Sequence, residues 1–444
     1  MEPSQSQDAI NFKAYIEAGK RAFDLGRYED AERLYQKALI EARREKAIGF
    51  MSPDETSDNT LDAITQEDSG KSRIALVDDP NFAEIYRGFG EIYSMQGSWL
   101  KAEDALKAAL AVQEKWQQDS NELAETLNKL GQVYRVEGKF QEVESCFRRA
   151  LSIYESHEDS DKMKLADTLE SLADLYRLHG KYDQAEPLFS KAIAVREASL
   201  GPDHPTIGAM LQNLALLYHA EGRYDKAEPI YARALKLNED KWGTLHPSVA
   251  VILNYLAELY RLQGNFPKAE ETHWKALKIR QTALGLDHPS TAQTLSNLAN
   301  LFHIQCKYDQ AEPLYKTLLE IRTRDWGAKH MHVAEVLNSL AEVYQDQGRY
   351  AEAEQHFWRA LSIIQENVGP EHASVAKAIE NLAHLYEDQE NFEEADRLYR
   401  WSLGLCEKTL GVEHPEVAAL MAKYASLQKK MVSDDEDTDL LWNN

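Results

Sequence analysis

The chain has 444 residues, 43% of them hydrophobic and 28% charged, and a formal net charge of −24. That balance excludes nucleic acid and anionic membrane surfaces as general partners, because both demand a basic stripe. Three cysteines, Cys146, Cys306 and Cys406, are too few and too scattered for a disulfide framework or a CxxC metal site, so a reducing compartment, the cytoplasm, is expected.

Residues 1–10 are polar and lack the basic and apolar segments of a secretory signal, so a flexible N-terminus is expected. Residues 11–46 read as a first helical pair broken at Gly26. Residues 47–79 are rich in Asp, Ser and Thr without periodicity. They are expected to form an acidic, polar, mobile insertion, with room for a short helix around Asp62–Gln66. From Pro80 the chain is regular. GSWLKA begins at Gly97, GKFQEV at Gly138, GKYDQA at Gly180, GRYDKA at Gly222, GNFPKA at Gly264, CKYDQA at Cys306, GRYAEA at Gly348 and ENFEEA at Glu390. From Gly138 onward every step is 42 residues. With GRYEDA at Gly26, these make nine copies of one unit. A fixed period of this size marks a solenoid, in which each unit packs only on its neighbours.

The unit is clearest from Gly201 to Trp242. His204-Pro205 opens its first helix, Pro being favoured where the missing N–H has no partner to lose. Leu211, Leu214, Ala215 and Tyr218 then fall on one helical face. Gly222 stops the helix by taking the left-handed conformation. Ala227, Tyr231 and Ala234 form the inner stripe of the second helix, and small residues recur in those slots as Ala185 and Ala192, Ala269 and Ala276, Ala353 and Ala360. Tyr224 and its equivalents Trp99, Tyr182, Phe266 and Tyr308 are expected as core wedges, and Trp274, Trp358 and Trp401 as packing residues. Repeats two to nine thus span 80–413. Residues 414–431 read as a capping helix, and 432–444 as an acidic tail ending in Leu440, Leu441 and Trp442.

Leu211, Ala215 and Tyr218 in one helix, with Ala227, Tyr231 and Ala234 in the next, resemble the tetratricopeptide repeat. The 42-residue period and the junctions Leu200-Gly201-Pro202-Asp203-His204-Pro205, Leu284-Gly285-Leu286-Asp287-His288-Pro289 and Leu410-Gly411-Val412-Glu413-His414-Pro415 are similar to the kinesin light chain subclass. The resemblance implies an all-α, right-handed superhelical solenoid of nine helix-turn-helix repeats plus the cap. It also implies an adaptor whose concave groove, lined mainly by first helices, binds peptide segments of partner proteins. No heptad coiled coil accompanies the repeats, so a motor role does not carry over.

Two slots of the first helix stand out as candidate peptide contacts. Four residues after the small residue lie Arg135, Arg177, His219, Arg261 and His303, a cationic or ionisable ladder within an acidic chain. Asn213 and Asn297 lie two residues before the small residue, and Asn128, Asn254 and Asn338 three before. An Asn amide can donate to and accept from a peptide backbone at once. The slot six before the small residue holds Glu125, Asp167, Ala209, Val251, Gln293, Glu335 and Lys377, which argues against a lysine-based clamp for a terminal carboxylate. Helix ends favour Arg through the helix dipole, and inter-helix bonding suits Asn, so structural roles compete in both rows. His204, His246, His288, His330, His372 and His414 each sit in a different repeat, too far apart to share a metal ion, and are expected to cap helices.

Without a phosphate loop, HExxH or GxSxG motif, no enzyme, cofactor or metal site is expected. The preferred reading is a protein–protein adaptor that takes a peptide, an acidic one being favoured by the ladder. The tail 433–444 is a candidate for self-binding in the groove. The alternatives are a structural assembly subunit or oligomer acting through convex and terminal surfaces, and a ligand-sensing regulator.

Overall fold

The computed structural model describes residues 12–50, 80–116, 120–157 and 161–442. The N-terminus 1–10 and residues 51–79 of the expected insertion, including Asp62–Gln66, lie outside the described residues. Among the described residues there are nineteen helices and no strand. The chain forms two compact units, Met1–Leu237 and Asn238–Asn444.

In the first unit the helices pair as α1 (Phe12–Asp24) with α2 (Tyr28–Phe50), and α3 (Pro80–Met95) with α4 (Trp99–Trp116). Next come α5 (Asn121–Val136) with α6 (Phe140–Ser156), and α7 (Lys162–Leu178) with α8 (Tyr182–Leu200). Helix α9 (Pro205–Ala220) follows, and α10 (Tyr224–Trp242) contains the border between the units. The second unit pairs α11 (Pro247–Leu262) with α12 (Phe266–Leu284), and α13 (Pro289–Ile304) with α14 (Tyr308–Trp326). It continues with α15 (Met331–Asp346) against α16 (Tyr350–Val368), and α17 (Ala373–Asp388) against α18 (Phe392–Leu410). The single helix α19 (Pro415–Trp442) packs on α18. Its backbone runs through the residues read as an acidic tail, because no Gly or Pro after Pro415 stops it.

The small-residue slots make the close approach possible. Ala185, Ala192, Ala227, Ala234, Ala269, Ala276, Ala353 and Ala360 are all fully buried. Between them sit Phe189, Tyr231 and Phe357, at most 1% exposed. Where the first-helix slot is Gly131, a Cβ would stand 2.7 Å from the Phe147 ring, so glycine is needed for the approach. The turn aromatics are a correction to the sequence reading. Trp99, Tyr182, Tyr224, Phe266 and Tyr308 are half-buried, since a residue at the first position of a helix packs on one side only. Trp274, Trp358 and Trp401 are likewise 45%, 39% and 46% exposed.

A polar staple joins successive repeats. The tyrosine three residues after the small residue donates to a carboxylate on the preceding second helix. In the first unit Tyr176 reaches Glu144 at 2.7 Å and Tyr218 reaches Glu186 at 2.9 Å. In the second, Tyr344 reaches Glu312 at 3.3 Å and Tyr386 reaches Glu354 at 2.6 Å. The Tyr176 bond, opposed by partial burial and helped by Arg148, holds the Glu144 carboxyl below the usual range. Hydrogen bonds to charged groups contribute about 1.5–3 kcal/mol, so these staples add to the apolar contacts at each joint.

The histidines at helix starts are N-caps. The Nδ1 atoms of His204, His246, His288, His330, His372 and His414 accept the backbone N–H two residues on, at 3.1–3.4 Å. Each helix pair turns through a residue with positive φ. That residue is Gly222 at φ 73°, but Cys306 and Glu390 hold the same place at 54° and 60°. A left-handed non-glycine residue costs about 1–2 kcal/mol. Cys306→Gly is therefore expected to stabilise the second unit by roughly 1 kcal/mol, read as a raised urea midpoint at unchanged slope. An unchanged or lowered midpoint would contradict the strain.

Candidate peptide-binding surface

The first helices bury the faces that carry Leu211, Leu214 and Tyr218, leaving the slots four and five residues after the small residue at their C-terminal ends. Whether a ladder cation is neutralised depends on two carboxylate positions. One is three residues earlier on its own helix; the other is the fifth-residue slot of the next repeat. Arg177 turns back to Asp174, with bonds of 3.0 and 2.7 Å. Arg261 turns back to Glu258, with Nε bonds of 3.0 and 2.9 Å. His303 has Asn300 at the earlier position and instead meets Asp346 of the next repeat at 2.8 Å. Gln345 reaches Asp388 in the same register at 2.6 Å, and Lys430 reaches Glu387 at 2.7 Å.

Arg135 has neither partner. Gln132 stands three residues before it, and Leu178 fills the slot in the next repeat. Arg135 is exposed and makes no ion pair with any described residue. Around it the fifth-residue slot is apolar: Met95, Val136 and Leu178 are 58%, 56% and 61% exposed. His219 packs edge-on against Tyr224 at 5.8 Å, and His303 lies 6.0 Å from Tyr308, so the half-buried turn aromatics support the ladder from below.

The asparagines divide into two groups. Asn128 donates to Thr168 on the next first helix at 2.7 Å, and Asn254 donates to Thr294 at 2.9 Å. Asn254 also accepts from His273 at 3.1 Å and is 8% exposed, so both ends of its amide serve the joint between repeats. At Asn338 the corresponding threonine is Ala378, and its buried Oδ1 has no hydrogen-bond partner among the described residues. Asn213 donates to Glu170 at 2.9 Å. Asn297 accepts from Gln293 at 3.0 Å. The sequence reading passed over the apolar slot beside the ladder. Its signal was available as Met95, Val136, Leu178, Leu262 and Ile304, giving way to Asp346 and Asp388.

Paired helices, a 42-residue register and small-residue joints define a helical repeat scaffold. The chain belongs to the tetratricopeptide repeat family: the family profile matches residues 81–156, 164–240, 248–324 and 332–408, and a second tetratricopeptide repeat profile matches 213–280. Similar solved structures include the nearly identical TPR-like repeats of a kinesin light chain candidate from Podosopora anserina, at 22% identity and a TM-score of 0.43, covering 47% of this chain and 98% of that one. The apo form of RapI is 14% identical with a TM-score of 0.59, covering 89% of this chain and 98% of its own. The apo quorum sensor NprR from B. thuringiensis is 12% identical with a TM-score of 0.51, covering 90% and 99%. At these identities the likeness is one of fold. No curated protein matches the sequence significantly. No helix among the described residues is long and apolar enough to cross a membrane.

Proposed function

We propose that this protein is a non-enzymatic cytoplasmic adaptor that binds a peptide segment of a partner protein along its first helices. The observation that carries the reading is Arg135, an exposed cation without a carboxylate partner, set among the exposed apolar side chains of Met95, Val136 and Leu178. A segment with an acidic residue beside apolar ones complements that strip. The other ladder residues, Arg177, Arg261 and His303, already have carboxylates and act by exchanging them for a ligand. Asn297 and Asn338 keep amide capacity for a peptide backbone, whereas Asn128 and Asn254 serve the joints. Asn213 and His219 contribute through the same helix faces.

The test is the affinity of a purified partner, first captured by the full chain, for wild type and for Arg135→Glu/Leu178→Asp. Both sites are exposed, so folding is retained. The double variant is expected to bind at least about tenfold more weakly, as loss of one charge-assisted bond implies. Wild-type affinity should fall with salt. Equal affinity and equal salt dependence would overturn the proposal. A second reading, assembly through the outer face, draws on the exposed Trp274, Trp358 and Trp401 of the second helices. It predicts salt-insensitive binding that Trp358→Ser weakens.

A further inference from the structure

One second-helix slot falls between the first helices of its own and the following repeat. It holds Tyr154, Arg196, Arg280, Arg322, Ile364 and Cys406 at intervals of one or more 42-residue repeats. In the first unit Arg196 is neutralised by two carboxylates of α7, pairing with Asp167 and lying 3.6 Å from Glu170. In the second unit the same slot keeps the cation and loses the carboxylates. The positions equivalent to Asp167 and Glu170 are Val251 and Asn254 beside Arg280, and Gln293 and Ser296 beside Arg322.

Arg280 is 7% exposed and donates to neutral acceptors on α13, the Ser290 carbonyl and, at 2.7 Å, the Thr294 hydroxyl. A cation buried to this degree without a carboxylate is unusual, because the uncompensated charge is costly. Arg322 makes no hydrogen bond or ion pair with any described residue. Helix α13 packs on both α12 and α14, and so lies against the helices that carry both guanidinium groups. Near Arg280 the buried His273, 0% exposed, has an Nε2 without a hydrogen-bond partner.

We propose that Arg280 and Arg322, with Gln293, Ser296 and Asn297 of α13, form an anion site in the second unit that takes carboxylate side chains of an acidic peptide. This rests on the peptide-binding reading above but uses different residues in a different unit. Two cations one repeat apart, ~10 Å at helix-packing distances, match acidic residues about three positions apart in an extended strand at ~3.3 Å per residue. A single phosphate spans only one of them. The neutral amide and hydroxyl groups supply further donors without adding charge.

The experiment uses a fluorescein-labelled hexaglutamate peptide, with hexaglutamine as control, in anisotropy titrations of the full chain at low salt. The surface carries net charge −24, so unspecific attraction of hexaglutamate is disfavoured. Wild type should bind hexaglutamate and leave hexaglutamine free. Arg322→Gln should weaken binding about tenfold or more, and it leaves no described partner unsatisfied. Gln293→Asp/Ser296→Glu, which rebuilds the carboxylate pair that Arg196 has, should do the same with the fold intact by circular dichroism. Lys275→Gln, which removes an exposed cation of α12 outside both proposed sites, should change binding by less than about twofold. No binding to wild type, or undiminished binding to both second-unit variants, overturns the inference. Full displacement by equimolar inorganic phosphate also overturns it, assigning the cations to phosphate. An equal loss in Lys275→Gln overturns it too, assigning the binding to unspecific charge, while leaving the adaptor reading in place. Conversely, a partner that ignores Arg135→Glu/Leu178→Asp removes the first-unit strip without touching the hexaglutamate result.

Discussion

Phe357→Ala is expected to destabilise the second unit by about 3–5 kcal/mol, the range for truncating a fully buried aromatic side chain. Phe357 is 1% exposed, between the fully buried Ala353 and Ala360 of α16. Phe147, Phe189, Tyr231, Tyr315 and Tyr399 hold the same slot elsewhere, so an aromatic ring there is part of the unit's design. The cavity cannot collapse easily, because the small residues on either side already bring the helices as close as their backbones allow. A solenoid is stabilised by each repeat and its contacts with the next, so the damage should spread along the array. Amide exchange is expected to accelerate in α15 to α18, together with a lower urea midpoint. Phe357→Leu should cost much less. A change below about 1 kcal/mol for the alanine variant would show that the slot is not a core position.

The second large effect concerns acid. Burial pushes the His273 imidazole down to about 4; Glu258 opposes this, while Arg261 and Arg280 add to it. The fold therefore favours the neutral ring. Its contribution to stability is fully present above the ordinary value of 6.5 and is lost as pH falls from there towards about 4. Across that window the loss amounts to about 3 kcal/mol. His273→Phe, which copies Phe189 and Phe357 of the same slot, should flatten the acid limb between pH 6.5 and 4. It should also cost about 1–3 kcal/mol at neutral pH, because Asn254 Oδ1 loses its donor. Urea midpoints from pH 4 to 8 check both effects. An acid limb as steep in the variant as in wild type would remove His273 from the explanation.

The register of the fold was legible because it is local. Gly222 and Gly264 stop helices by their own backbone preference, and Ala227 and Ala234 bring helices together by their own size. The expectation that His246 and His288 cap helices likewise needed only the next two residues. The pairing state of the ladder was less legible, because it depends on residues 43 positions away. His303 finds Asp346, while Arg135 finds Leu178, and neither fact is visible in a slot read alone. Asn254 was harder still: its role depends on His273 and Thr294, 19 and 40 residues distant. Exposure was misjudged for Tyr224 and Trp358, since an aromatic at a helix start or on an outer face packs with one side and shows the other.

The claim at the centre of this account is that a partner lies along the first helices. Hydrogen exchange of the full chain with and without its captured partner tests it most directly. The account predicts added protection at the C-terminal turns of α3, α5 and α7, around Met95, Arg135 and Leu178, with the outer faces of α4, α6 and α8 unchanged. Protection confined to the second helices would contradict it.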